Sequence, residues 1–290
     1  MRFIDMRFID PKTDFAFKKI FGSDQSHPIL ISFINHMVYD GDPIVVDLEI
    51  LNPYQAPKII GMKATYLDVR AQLNTGEFVI IEMQVLNVAG FEKRVLYNAT
   101  KAYATQLDSG SHYTTLTPVI ALTITDFEMF PEFSNVRSRF ILKERDHLVD
   151  YPACDLELIF IELPKFQRSI DDLTSVSDQW LYFLKYAPNL EVIPSQMETV
   201  PALQQAFQIA QKANLNRDEL EELEKQQIYI QDQRGAIIKA LEQGLQQGLQ
   251  QGRDAEKVEI ARKLLAVLDN ESIAKTTGLP IAMIEQLRSI

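Results

Sequence analysis

Between Leu67 and Val85 the odd positions are apolar at Leu67, Val69, Ala71, Leu73, Val79, Ile81, Met83 and Val85, while the even ones include Asp68, Arg70, Gln72, Glu82 and Gln84. A period of two belongs to β-strands. The interruption at Asn74-Thr75-Gly76 supplies a three-residue turn with glycine where positive φ is wanted, so the segment predicts a β-hairpin. A turn centred on Thr75 keeps odd residues facing odd ones and sets Asp68 opposite Glu82; a slip by one residue would place apolar side chains among polar ones.

Apolar spacing elsewhere predicts helices over 13–21, 27–38 and 91–108, and strands over 44–51, 64–73, 78–86, 118–124 and 155–162. A further helix holds Trp180, Phe183 and Leu184; Trp180 and Tyr182 read as core residues there. Strand signals cease near Pro201, where Gln, Glu, Leu and Ala take over. This divides the chain into a mixed α/β domain, 1–200, and a helical tail, 201–290. Inside the tail Gly-Leu-Gln-Gln recurs with a period of four, which on a helix lays Gly244, Gly248 and Gly252 beside Leu241, Leu245 and Leu249. Each glycine costs a helix about 1 kcal/mol relative to alanine. The stripe therefore reads either as close helix packing, whose simplest use is self-association into a homo-oligomer, or as a frayed linker. Ala274, Gly278 and Ile284 have helix-turn-helix spacing, with Gln286 and Arg288 as the available base or phosphate readers. The structural reading, a hairpin closing the tail, is favoured.

The hairpin carries the candidate chemistry. Directly opposed carboxylates lie about 4.5–5.5 Å apart at Cβ and repel, so Asp68 and Glu82 call for a cation. Mg²⁺ takes a few carboxylate oxygens, keeps waters and commonly completes its shell with substrate phosphate. Gln84, on the same face as Glu82, is placed to hold the attacking water as a hydrogen-bonding amide, not as a base. The alternative is an ordinary hairpin with a solvated face on which Asp68 pairs with Arg70 or a distant lysine. Next along the chain, Arg94, Tyr97, Asn98 and Lys101 share one helical face opposite Val95, Leu96, Ala99 and Ala102. Arg94, Lys101 and Tyr97 suit substrate phosphate, and Lys101 is within reach of the nucleophile; the bland reading is a wet helix face. Asp14 is accounted for by its place in the first turn of a helix capped by Thr13, with chemistry as an additional possibility.

Composition narrows the rest. The 290 residues carry a formal charge of −11, which argues against a basic nucleic-acid coat and for weak, salt-sensitive or cation-assisted DNA contacts. The lone Cys154 and the scattered His27, His36, His112 and His147 exclude zinc and disulfide chemistry as organising themes. No apolar run reaches the roughly 20 residues of a membrane span. The repeated Met-Arg-Phe-Ile-Asp start is no secretory signal, and a cytoplasmic protein is expected.

Taken in order, the run from Asp10 to Gly22, Leu67 to Arg70, Ile81 to Gln84, Arg94 to Tyr103 and Leu158 to Lys165 resemble the Rpn family of recombination-promoting nucleases and transposases, within the PD-(D/E)XK superfamily. The resemblance spans roughly residues 8–185. It implies a restriction-endonuclease-like mixed sheet flanked by helices and cleavage of DNA with Mg²⁺ or Mn²⁺. Asp68 then corresponds to the metal-binding aspartate, Glu82 to the second acid and Asp14 to the acid of the N-terminal helix. Gln84 stands where many superfamily members carry lysine, and Lys101 is the candidate replacement. Three functions follow: a metal-dependent DNA endonuclease linked to recombination or mobile elements, a catalytically inactive nuclease-like fold serving as an oligomerisation or interaction module, and a transposase requiring strand transfer as well.

Overall fold

The computed structural model describes residues 7–55 and 65–289. The first copy of the repeated start and the beginning of the strand predicted from residue 64 lie outside these residues. The described chain forms α1 (Asp14–Phe21), α2 (His27–Met37), β1 (Leu48–Leu51), β2 (Tyr54–Gln55), β3 (Thr65–Tyr66), β4 (Val69–Leu73) and β5 (Phe78–Gln84). There follow α3 (Phe91–Ala104), β6 (Val119–Thr125), β7 (Arg137–Phe140), β8 (Leu156–Glu162), α4 (Val176–Tyr186) and α5 (Pro201–Ile209). The chain continues through α6 (Arg217–Leu264), α7 (Asn270–Thr277) and α8 (Ile281–Arg288). Two compact units result, one running to Ile230 and one from Gln231 onward.

In the first unit six strands form one mixed sheet in the order β1-β4-β5-β6-β8-β7. β5, β6 and β8 run parallel, and β1, β4 and β7 are antiparallel to their neighbours. The β4–β5 pairing is the one the alternation predicts, with Val69 against Ile81, Arg70 against Ile80 and Ala71 against Val79. Gly76 closes the turn at φ +102°, donating its N–H to the Leu73 carbonyl. Its lack of a side chain makes that backbone accessible at little cost.

The sheet is covered on both sides, which corrects the expectation of one apolar and one polar face. Odd-numbered residues of β4 and β5 meet a large core of α1, α2, α4 and α5 that includes Phe17, Phe21, Phe33, Trp180, Phe183 and Phe207. Ile80 faces a second cluster with Ala99 and Ala102 of α3 and Val119 and Ala121 of β6. Parallel strands in the middle of a sheet are buried on both faces, and this is why β6 is buried along its whole length. Trp180 is a core residue, its indole N–H donating to Ser32 Oγ at 3.2 Å.

Three boundaries differ from the sequence expectation. The first strand spans only Leu48–Leu51; before it Val46 and Asp47 donate their N–H groups to the Asn74 side chain instead of a ladder. α3 ends at Ala104, where the Thr105 hydroxyl donates to the Lys101 carbonyl. β7 was not foreseen, because Arg-Ser-Arg-Phe has no apolar alternation and pairs only as an edge. The body also continues past Pro201: Leu203, Ala206 and Phe207 of α5 and Leu223 of α6 are part of its core.

In the second unit Ala261, Ile273, Leu279 and Ile284 form a small cluster of their own. Arg288 donates to Asn270 Oδ1 at 3.0 Å and to the carbonyls of Leu265 and Leu268 at 2.9 and 2.8 Å, so its guanidinium closes the helical hairpin. The Gly-Leu-Gln-Gln repeat is helical throughout, but Leu241, Leu245 and Leu249 are 72%, 63% and 56% exposed. A side chain added at Gly244, Gly248 or Gly252 would meet nothing within 4 Å. No described helix is long and apolar enough to cross a membrane.

Candidate active site

The open end of the β4–β5 hairpin, opposite its turn, is where the polar groups gather. Asp68 immediately precedes β4 and Glu82 lies near the end of β5. Beside them α1 begins with Thr13 capping the Ala16 N–H, so that Asp14 falls in the first turn. Its far end approaches Asp68 closely. A Cβ on Gly22 would sit 2.9 Å from the Lys18 carbonyl and 3.6 Å from that of Asp68, and only glycine fits without a shift.

A depression of about 800 Å³ opens here, lined by Asp14, Asp68, Glu82, Gln84, Arg94 and Tyr97 among others. These are six of the seven residues singled out from the sequence. The seventh, Lys101, does not line it: its ammonium donates to the Gln55 carbonyl at 2.8 Å and to Thr65 Oγ1 at 3.3 Å, beneath the β2–β3 ribbon. The helical spacing misled because Phe91, Val95, Asn98, Ala99, Lys101 and Ala102 are the residues α3 buries, whereas Leu96 is exposed. Burial lowers the Lys101 ammonium below its ordinary value.

Each acid is held by one oxygen. Asp68 Oδ2 accepts the Met83 backbone N–H at 2.7 Å. Its other oxygen lies 3.7 Å from the Lys18 ammonium, which also sits 2.7 Å from Asp14. Glu82 Oε1 accepts from Asn98 Nδ2 at 2.5 Å, and Asn98 keeps a buried Oδ1 with no partner. Gln84 is fixed at both ends, its amide donating to the Leu86 carbonyl at 2.7 Å and its oxygen accepting from Arg94 at 2.5 Å. An amide still retains one N–H and one lone pair after those two bonds.

Lys18 and Asn98 are the two groups that the sequence reading did not assign a place in the site. Asn98 was visible on the same helical stripe as Arg94. Lys18 follows Asp14 by four residues, a spacing that stacks side chains on one helix face and was the available signal.

Electrostatics mark these acids out. Burial pushes the Asp68 carboxyl up to about 7; the Met83 N–H opposes this, the Asp14 carboxyl adds to it, and Lys18 holds it down. Burial also raises Glu82, against the pull of Asn98 and Arg94. Elsewhere in the same unit Glu162 is fully buried but answered on both oxygens, by the Met129 and Phe130 N–H groups and by Lys165 at 2.6 Å. Among the described residues Glu82 has no such cation on its second oxygen.

Among the described residues no three His, Cys, Asp or Glu side chains form a metal-binding group. A cation that relies on waters and substrate oxygens for most of its shell, as Mg²⁺ does, needs only one or two carboxylates. The oxygens of Asp68 and Glu82 left over from Met83 and Asn98 fit that requirement.

No curated protein and no solved structure matches the chain significantly. Residues 11–240 match the family model of the PD-(D/E)XK nuclease family transposases. The match takes in α1, the hairpin with its two acids and the parallel strands behind them, and it continues past Pro201 as the compact body does. The chain belongs to the family of PD-(D/E)XK nuclease transposases.

Proposed function

We propose that the chain is a Mg²⁺- or Mn²⁺-dependent DNA endonuclease, linked to recombination or mobile elements as its family description suggests. The observation that carries this is a pair of carboxylates, Glu82 buried and Asp68 half-buried, each with one oxygen engaged by a neutral donor, at one depression that also contains Arg94. Asp68 and Glu82 would hold the metal. When bound, the ion polarises the scissile phosphodiester and makes attack by water feasible at neutral pH.

The protein's own groups do the rest. Arg94 is the cation best placed for a substrate phosphate, stacked over the Phe91 ring at 5.0 Å, with Tyr97 one turn further along. Gln84, held between Arg94 and Leu86, orients the water with its remaining N–H and lone pair. Asp14 and Lys18 form a charge pair that sets the field at Asp68. Lys101 acts through the ribbon it supports.

Supercoiled plasmid incubated with Mg²⁺ or Mn²⁺ should be nicked by the wild type, and Glu82→Ala should lower the rate by about 10³-fold, as expected for a lost group that stabilises transition-state charge. Equal nicking by wild type, Asp68→Ala and Glu82→Ala would sink the proposal. The second reading, an inactive interaction module, is favoured by Gln84 at the signature lysine position and by the distance of Lys101 from the depression. It requires that calorimetry detect no Mg²⁺ or Mn²⁺ binding dependent on Glu82.

For the tail we propose self-association along the exposed Leu241, Leu245 and Leu249 stripe, which leaves a row of apolar side chains without a cover. A cytoplasmic location accords with the exposed free thiol of Cys154.

A further inference from the structure

Among the described residues the proposed site has few cations for a nuclease. The basic side chains lining the depression, among those described, are Lys93 and Arg94, with Lys18 beside it already paired to Asp14 and Asp68, against Asp14, Asp68 and Glu82, in a chain of net charge −11. Affinity for a nucleic-acid backbone comes from phosphates neutralised by Lys and Arg. Two such contacts give weak binding by themselves, and a second source of affinity would add to them.

One is present on the rim. Tyr66 of β3 lines the depression and is 75% exposed. Other aromatic rings are exposed, among them Tyr113 and Tyr151, but they do not line this depression. Behind Tyr66 stands Tyr54 of β2, with ring centroids 4.8 Å apart. The ribbon bearing both rings is anchored from below by Lys101, through the Gln55 carbonyl and Thr65 Oγ1. A buried, hydrogen-bonded lysine thus serves to fix an exposed aromatic pair. Tyr97, 36% exposed, adds a second ring to the lining.

An exposed ring beside a sparse basic groove is how proteins hold unpaired strands: bases stack on the aromatic face whatever their sequence. In a duplex the base faces are already stacked on one another and unavailable. We infer that Tyr66, backed by Tyr54, is a stacking platform for an unpaired nucleobase, so that the site takes single-stranded or locally opened DNA in preference to intact duplex. This inference rests on the nuclease reading for its substrate class and assigns to that site a binding residue outside its acids.

The test uses the full chain carrying Asp68→Asn, so that the probe survives, with Mg²⁺ and a fluorescein-labelled unpaired 16-nucleotide strand or its duplex read by anisotropy. Stacking of one base is worth about 5- to 150-fold in affinity. Adding Tyr66→Ala should weaken strand binding by about 10-fold or more, whereas Tyr66→Phe, which keeps the ring, should stay within about twofold. The duplex should bind more weakly and be indifferent to both changes. Circular dichroism confirms the fold of each variant, and Tyr66→Ser provides a second truncation if the alanine variant unfolds. Strand binding unchanged by truncation, or duplex bound as tightly as the unpaired strand, overturns the inference. The nuclease reading fails separately, through Asp68-independent nicking of plasmid. A chain that binds strands through Tyr66 without cutting them would retain the platform and lose the activity.

Discussion

At the hairpin, carboxylates occupy the protected positions: Glu82 is 9% exposed beneath α3, and Asp68 is pinned to the Met83 backbone. In the later part of α6 the opposite holds, with Leu241, Leu245 and Leu249 turned outward and three glycines facing open space. Both arrangements run against solvation. Burying an ionised carboxylate costs several kcal/mol unless it is compensated, and leaving leucines in water forgoes about 25 cal/mol for each Å² that burial would remove. The difference lies in what would relieve them. The acids line an open depression with room for a small cation and a phosphate, whereas the leucines form a line that only a second apolar surface would cover.

The comparison breaks most directly at Asn98. Asn98→Ala removes the donor that holds Glu82 and keeps one of its oxygens oriented, and such supporting partners typically contribute 10- to 100-fold to metal affinity. Calorimetric titration with Mn²⁺ should show a loss of about that size with the fold intact by circular dichroism. An unchanged affinity would mean that Glu82 is not a ligand.

Protonation sharpens the same side. Because the Asp68 carboxyl titrates at about 7 in the folded chain, and at about 3.9 when unfolded, the native state binds the extra proton between those values. Stability is therefore lost as pH rises through that window. In metal-free buffer Asp68→Asn should be the more stable protein. Its advantage should grow from pH 4 to pH 7, reach on the order of 1–3 kcal/mol and then level off. Melting temperatures across that range check this, and Mg²⁺ should narrow the gap by stabilising only the wild type. A gap that shrinks with rising pH would show that Asp68 is held by its partners in the charged form.

The smallest effect belongs to the tail. Gly244→Ala should raise helix stability by up to about 1 kcal/mol, since the new methyl meets nothing within the chain. If the glycines exist for close approach of a second copy, the same change should lower the mass measured by light scattering. More helix with unchanged mass would leave the glycines without a packing role.

What the sequence revealed and what it hid follow from one distinction. Alternation identified the strands and fixed their register, because a slip would have moved every side chain of Leu67–Val85 to the wrong face. It could not say that the polar face was also covered. That depends on α3 crossing the sheet, and on β5 and β6 pairing in parallel over residues more than 30 positions apart. Lys101 was misplaced for the same reason: on a helical wheel it stands with Arg94, but the ribbon of Tyr54–Gln55 and Thr65–Tyr66 passes over its end of α3. Pro201 marked a change of composition without marking the edge of the body, since a helix such as α5 is built from Ala, Leu and Gln wherever it packs.

The amide at the start of α1 is answered from far along the chain. Phe15 N–H donates to Gln226 Oε1 at 2.8 Å, 211 residues later, and Lys19 pairs with Glu219 of the same helix. During synthesis at about 5–20 residues per second, roughly 10–40 s pass between the two ends of that hydrogen bond. The helix that presents Asp14 acquires this partner only when nearly the whole body, which runs to Ile230, has emerged. The proposed site is thus completed late, by a chain already long enough to have folded around it.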